Sequence, residues 1–168
     1  MIKKIILFLP LILLLAGCDK GIAPVTEAEE TGFSGNVIFK GEWPDSVKRT
    51  HIIVFKNPIN SAADFNILNL AYIGPEIPFG SSEINYNTVL DSSFVKIKAG
   101  TYKYIVVAQS ATEEVSFERK DWYVAGIYYA NDNTAASGTL TIPENTLVKG
   151  INITCDFNNP PPQPPGGN

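Results

Sequence analysis

Apolar and polar residues alternate through most of the chain, and a period of two predicts strands rather than helices. FSGNVIFKG (33–41) reads as a first strand, closed by Gly41 and by the turn residues Pro44 and Asp45. THIIVFKN (50–57) is apolar on both faces in its middle, which predicts a central strand covered on both sides. INYNTVL (84–90) and SFVKIKA (93–99) follow, and Ala99-Gly100 predicts a tight turn into TYKYIVVAQ (101–109), closing a hairpin. EVSFERKDWYVAGIYYA (114–130) reads as one strand or two around Gly126, and GTLTIP (138–143) and INITCDF (151–157) complete the set. In the last, Ile151, Ile153, Cys155 and Phe157 fall on one face while Asn152, Thr154 and Asp156 fall on the other. Only SAADFNILNLA (61–71) passes for a short helix. The expected fold class is all-β: an antiparallel two-sheet sandwich of about seven or eight strands.

Both ends depart from this pattern. Residues 1–17 carry Lys3 and Lys4, an apolar run from Ile5 to Leu15 interrupted by Pro10, and then small Ala16 and Gly17 before Cys18. The run is shorter than the roughly 20 residues a spanning helix needs. Within LLLAGCDK (13–20), Leu15-Ala16-Gly17-Cys18 resembles the lipobox of bacterial lipoproteins. That resemblance implies a signal peptide over 1–17, cleavage between Gly17 and Cys18, diacylglycerol on the Cys18 sulfur and acylation of the new amino terminus. Palmitate-class chains, at about 0.8 kcal/mol per buried methylene, make such an anchor effectively permanent. The implied location is the bacterial cell envelope, lipid-anchored. Asp19 resembles an inner-membrane retention signal of enteric bacteria, and both inner and outer membrane stay open.

Residues 18–31 are polar, acidic and low in aromatics, which reads as a flexible tether. Residues 159–168, within NNPPPQPPGGN, form a proline and glycine tail expected to be disordered, either a simple terminus or a polyproline II ligand. Residues 32–158 are left as one domain. A mature chain of roughly 150 residues is long enough to bury a core of its own.

Charge and cysteine content narrow the function classes. The net charge of −4 becomes more negative once Lys3 and Lys4 leave, and no basic cluster stands out, so nucleic acid is not an expected partner. After acylation of Cys18, Cys155 is the remaining thiol, so the domain relies on packing rather than a disulfide. One histidine and no CxxC pair exclude an ordinary four-ligand zinc site, and no cofactor is expected.

SGNVIFKG near the start of the domain, FVKIKAGTYKYIVVA in its middle and VKGINITCDFN at its end together resemble the carboxypeptidase regulatory-like, or transthyretin-like, β-sandwich domains of bacterial envelope proteins. An Ig-like sandwich carries nearly the same pattern. In the Gly100-Thr101-Tyr102 element the tyrosine hydroxyl is placed to bond backbone, as in a tyrosine corner. The resemblance implies an accessory or binding module without catalysis of its own.

Candidate chemistry is sparse. Cys155 and His51 are the residue types of a thiolate pair, but Cys155 alternates with Ile153 and Phe157 on an apparent core face, where a thiol is inert. His51 opens a strand and reads as structural. Asn131-Asp132-Asn133-Thr134 is rich in oxygen ligands, yet Ala136 stands where a calcium loop needs glycine, so no metal site is expected. Trp43, Trp122, Tyr123, Tyr128 and Tyr129 are candidate ligand-binding residues, half of them expected in the core and half free to stack on a sugar or a partner. The expected function is a non-catalytic, membrane-anchored lipoprotein making structural or protein–protein contact, with an envelope protein as partner. The alternative is a glycan-binding module using the aromatics of 122–129.

Overall fold

The computed structural model describes residues 30–93, 95–130 and 136–167. The lipobox and the Asn131–Thr134 loop lie outside them. Among the described residues the fold is all-β, and its only helical elements are single 3-10 turns at Ala62–Asp64 and Arg119–Asp121. The first strands are β1 (Gly32–Lys40), β2 (Arg49–Phe55), β3 (Leu70–Glu76), β4 (Glu83–Asn87) and β5 (Gly100–Tyr102). They are followed by β6 (Tyr104–Ser110), β7 (Trp122–Ile127), β8 (Leu140–Ile142), β9 (Leu147–Val148) and β10 (Ile153–Asp156).

An eight-stranded sheet follows the order β3-β2-β6-β7-β10-β1-β4, with β9 added beside β1, and β5 and β8 make a separate two-stranded sheet. The large sheet is mixed, which corrects the expectation of purely antiparallel pairing. β1 runs parallel to β10, with Val37 opposite Ile153 and Phe39 opposite Cys155, and parallel to β9. Parallel neighbours need a long crossover rather than a tight turn. Here most of the domain serves as that crossover, because the first and last strands meet in mid-sheet.

Alternation along the central strands sends side chains to two apolar clusters, one on each face. Ile52, Val54, Ile105 and Val107 join Phe33, Val37, Tyr72, Tyr86, Ile153 and Cys155 in the first core, which Tyr102, Leu140 and Ile142 of the small sheet share. Ile53, Phe55, Tyr104, Val106 and Ala108 join Trp122, Val124 and Ile127 in the second. This is the double burial that the continuous apolar run of 50–57 predicts.

Three register shifts interrupt the ladders, between His51 and Ile53 and between Val54 and Phe55 where β2 meets β3, and between Val107 and Ala108 where β6 meets β7. The last two change the facing of core residues. Val54 stands opposite Tyr72 and Phe55 opposite Leu70, so Ala71 is an extra residue in β3. Ala108 stands opposite Val124 and Val107 opposite Gly126, so Ala125 is an extra residue in β7. Each bulge puts residues three apart on one face: Leu70 with Ile73, and Val124 with Ile127, all at the second core. The helix expected over 61–71 is therefore a 3-10 turn leading into a bulged edge strand.

The expected 93–99 hairpin arm also differs. Its described residues contain no strand, and β5 pairs with β8 instead, Thr101 opposite Thr141. Among the described residues of this segment Ile97 alone is buried in the core, while Val95 points to solvent. Tyr102 Oη donates to Lys98 O at 2.8 Å, the backbone bond anticipated for the tyrosine of the Gly-Thr-Tyr element.

Candidate functional site

The connections before β3 and before β7 fold over the second face of the large sheet. Asn69 shapes the first of them. Its Oδ1 accepts from Asn57 N at 2.9 Å, and its Nδ2 donates to Asn57 O at 3.2 Å and to Asp64 O at 2.9 Å. The second connection is tied by Trp122, whose Nε1 donates to Ser116 O at 2.8 Å. Arg119, itself buried, donates from Nη1 to Trp122 O and from Nη2 to Pro164 O at 2.9 Å. Burial lowers the pKa of its guanidinium. Both of these hydrogen bonds go to backbone carbonyls, so this cation fastens chain to chain.

Between the two connections lies an apolar cleft of about 340 Å3, lined by Ile53, Phe55, Phe65, Ile67, Phe117 and Trp122 among others. Ile53, Phe55 and Trp122 are buried parts of the second core, whereas Ile67 is 65% and Phe117 69% exposed. Exposed apolar side chains meeting at a preformed hollow over the core are features shared with ligand and protein contact sites in general. The sequence reading missed both residues as a pair, because Ile67 falls in the run read as a short helix and Phe117 in the run read as strand around Gly126, whereas both stand in connections.

The aromatics singled out from sequence do not form one row. Trp122 is only 5% exposed and packs edge-on to His51, with ring centroids 6.1 Å apart. Tyr123 is half-buried beside Lys120 and Asp121, Tyr128 packs on the first core and Tyr129 on the second. Trp43 belongs to a separate group with Phe39, Phe79 and Phe157, and its Nε1 donates to Ser81 O at 3.0 Å.

Nor do Cys155 and His51 meet. Cys155 is fully buried in the first core, where burial pushes its thiol up to about 12. His51 lies with Trp122 on the opposite face of the sheet, its Nδ1 3.0 Å from Gly74 O. A thiol held protonated in an apolar core is not a nucleophile at neutral pH. Among the described residues no three His, Cys, Asp or Glu side chains group as a metal site, and no helix is long and apolar enough to cross a membrane.

No protein-family model, curated protein or solved structure matches the chain.

Proposed function

We propose that the chain is a bacterial envelope lipoprotein, held to the membrane by lipid on Cys18, whose β domain acts by contact with another envelope protein and carries no catalysis of its own. The single observation behind the contact role is the cleft with Ile67 and Phe117 at its rim. Leaving two large apolar side chains in water costs about 1.5–3 kcal/mol each relative to burial, which association recovers. The occupant we assign is an extended apolar segment of the partner. The cleft is bounded by Leu70 and Ile73 of the sheet-edge strand β3, beside which an extended chain can lie.

The domain is read as a two-layer sandwich of the carboxypeptidase regulatory-like or transthyretin-like kind. Supporting this, the small sheet and the large sheet share one core, and Tyr102 bonds the backbone of Lys98. The anchor reading is supported by Leu15-Ala16-Gly17-Cys18 and the lysines ahead of it.

A photo-reactive residue placed at Phe117 in intact cells should give one discrete adduct, and Ile67→Lys should abolish it while the melting temperature stays within a few degrees. A diffuse adduct pattern that ignores Ile67→Lys would remove the contact role. Growth with labelled palmitate should tag the wild type and leave Cys18→Ala unlabelled. Equal labelling of the two would remove the anchor.

A further inference from the structure

A second hollow, of about 700 Å3, lies over the outward side of β10 and is independent of the apolar cleft. Its lining combines Asn152, Thr154 and Asp156 with Tyr129, Ile127 and a wall made by Asn159 and Pro160–Pro162. The volume lies within the range of about 300–1,000 Å3 typical of small-molecule sites. Alternation along β10 places Thr154 and Asp156 on one face, about 7 Å apart, and Asn152 lines the same hollow from just ahead of the strand. They face the same side of the sheet as Ile127, because Ile153 and Cys155 occupy the first core and Ile127 the second.

The polar groups keep capacity to spare. Asn152 uses Oδ1 to accept from Asn36 N at 3.0 Å, which leaves its amide donors directed elsewhere. Asp156 uses Oδ1 to accept from Asn158 N at 3.0 Å, which leaves Oδ2. The Thr154 hydroxyl makes no hydrogen bond with any other described residue, and Asn152 and Thr154 are solvent-exposed. Tyr129 is half-buried against the second core, which steadies its ring at the border of the hollow.

This donor set selects a ligand class. Among the described residues no lysine or arginine lines the hollow, and Asp156 brings a carboxylate, so an anion is disfavoured. A lipid tail would have to cover the amide, hydroxyl and carboxylate without hydrogen bonds. A neutral sugar supplies both requirements, with hydroxyls for the β10 row and an apolar C–H face for Tyr129. We infer that the hollow over β10 is a binding site for a neutral oligosaccharide, with Tyr129 as the stacking platform and Asn152, Thr154 and Asp156 as the hydroxyl-reading row. The site lies apart from the apolar cleft, and Trp122 is no part of it.

The test is isothermal titration of the full chain, kept in a sugar-free detergent, with laminarihexaose, chitohexaose, xylohexaose and mannohexaose at millimolar concentration. At least one should bind, and Tyr129→Ala and Thr154→Val should each weaken that binding about tenfold or more. Both variants should melt close to the wild type, Thr154→Val in particular, since valine keeps the shape and the strand preference of threonine. Phe117→Lys should bind the sugar normally, which separates this site from the contact surface. Absence of binding across the panel, or wild-type affinity in both Tyr129→Ala and Thr154→Val, would overturn the assignment. So would a preference for sulfated or uronic acid oligosaccharides over the neutral ones.

Discussion

The Gln163 side chain completes the edge of β7 by bonding both main-chain groups of Val124. Nε2 donates to Val124 O at 2.9 Å, and Val124 N donates to Oε1 at 2.8 Å. A primary amide presents one donor and one acceptor side by side, as the peptide group of a neighbouring strand would. Here a side chain must do this, because prolines at 160–162, 164 and 165 have no N–H to offer a ladder. β10 reaches β7 at Cys155 and Gly126, and the chain then turns back to deliver Gln163 beyond that pairing. The segment read from sequence as a disordered tail is placed against the sheet by this residue and by the bond from Arg119 to Pro164 O.

Gln163→Leu should therefore lower stability by about 1–3 kcal/mol, since it leaves two partly buried backbone groups without partners. Gln163→Glu should recover little, because a carboxylate accepts from Val124 N but cannot donate to Val124 O. Urea unfolding measures the loss. Hydrogen exchange at Val124, accelerated in both variants, would distinguish lost pairing from a general weakening of the domain.

Alkaline pH should unfold the domain cooperatively. Burial raises the pKa of Tyr72, Tyr86 and Tyr104 well above the ordinary phenol value, and that of Cys155 to about 12. A raised folded pKa means that the native state holds its proton more tightly than the unfolded chain. The contribution to stability is thus complete below the unfolded values, about 8.5 for Cys and 10 for Tyr, and is lost as pH climbs through and past them. Tyrosinate absorbance should lag behind that of free tyrosine and then rise together with loss of the β-sheet circular dichroism signal. At pH 8 Cys155 should resist a thiol reagent until the chain is unfolded.

Asn69 couples the loop before β3 to the apolar cleft. Its side-chain bonds reach Asn57 and Asp64, on the far side of the turn that carries Phe65 and Ile67. Asn69→Ala should cost about 1–3 kcal/mol through the groups left unsatisfied. It should also raise hydrogen exchange across 57–66 more than in the strands of the first core.

The sequence is a good guide to where strands occur and a poorer one to how they pair. Alternation is set by burial on each face, which explains why the runs at 33–41, 50–57 and 151–157 correspond to β1, β2 and β10. Pairing depends on partners distant in the chain. The alternating 93–99 run therefore suggested a hairpin, although among its described residues only Ile97 finds a core position. The bulges at Ala71 and Ala125 hide strands in another way, by giving Leu70 and Ile73, or Val124 and Ile127, the spacing of a helix face. The apolar cleft was not legible at all, since Ile67 and Phe117 lie in separate connections that only the folded sheet brings together.

Gly35 and Gly126 show how closely the strands around β10 approach one another. A Cβ added at Gly126 would sit 2.7 Å from Cys155 Sγ and 2.8 Å from Thr154 O, and one at Gly35 would sit 2.0 Å from Ile151 O. Both positions combine a side-chain or backbone obstacle with a sheet that is covered on its first face, so neither neighbour has free space to enter. The obstacle at Gly35 is main chain, next to the bond from Ile151 N to Ser34 O, and relief there means opening the junction between β1 and β10. Gly35→Ala should be the more damaging change, costing about 3 kcal/mol or more, with Gly126→Ala at about 1–3 kcal/mol. Pairing Gly126→Ala with Cys155→Ala should regain only part of the loss, because Thr154 O still obstructs the new methyl. Urea midpoints of the three variants check this ordering, and wild-type stability in Gly35→Ala would show that the two strands stand farther apart than described.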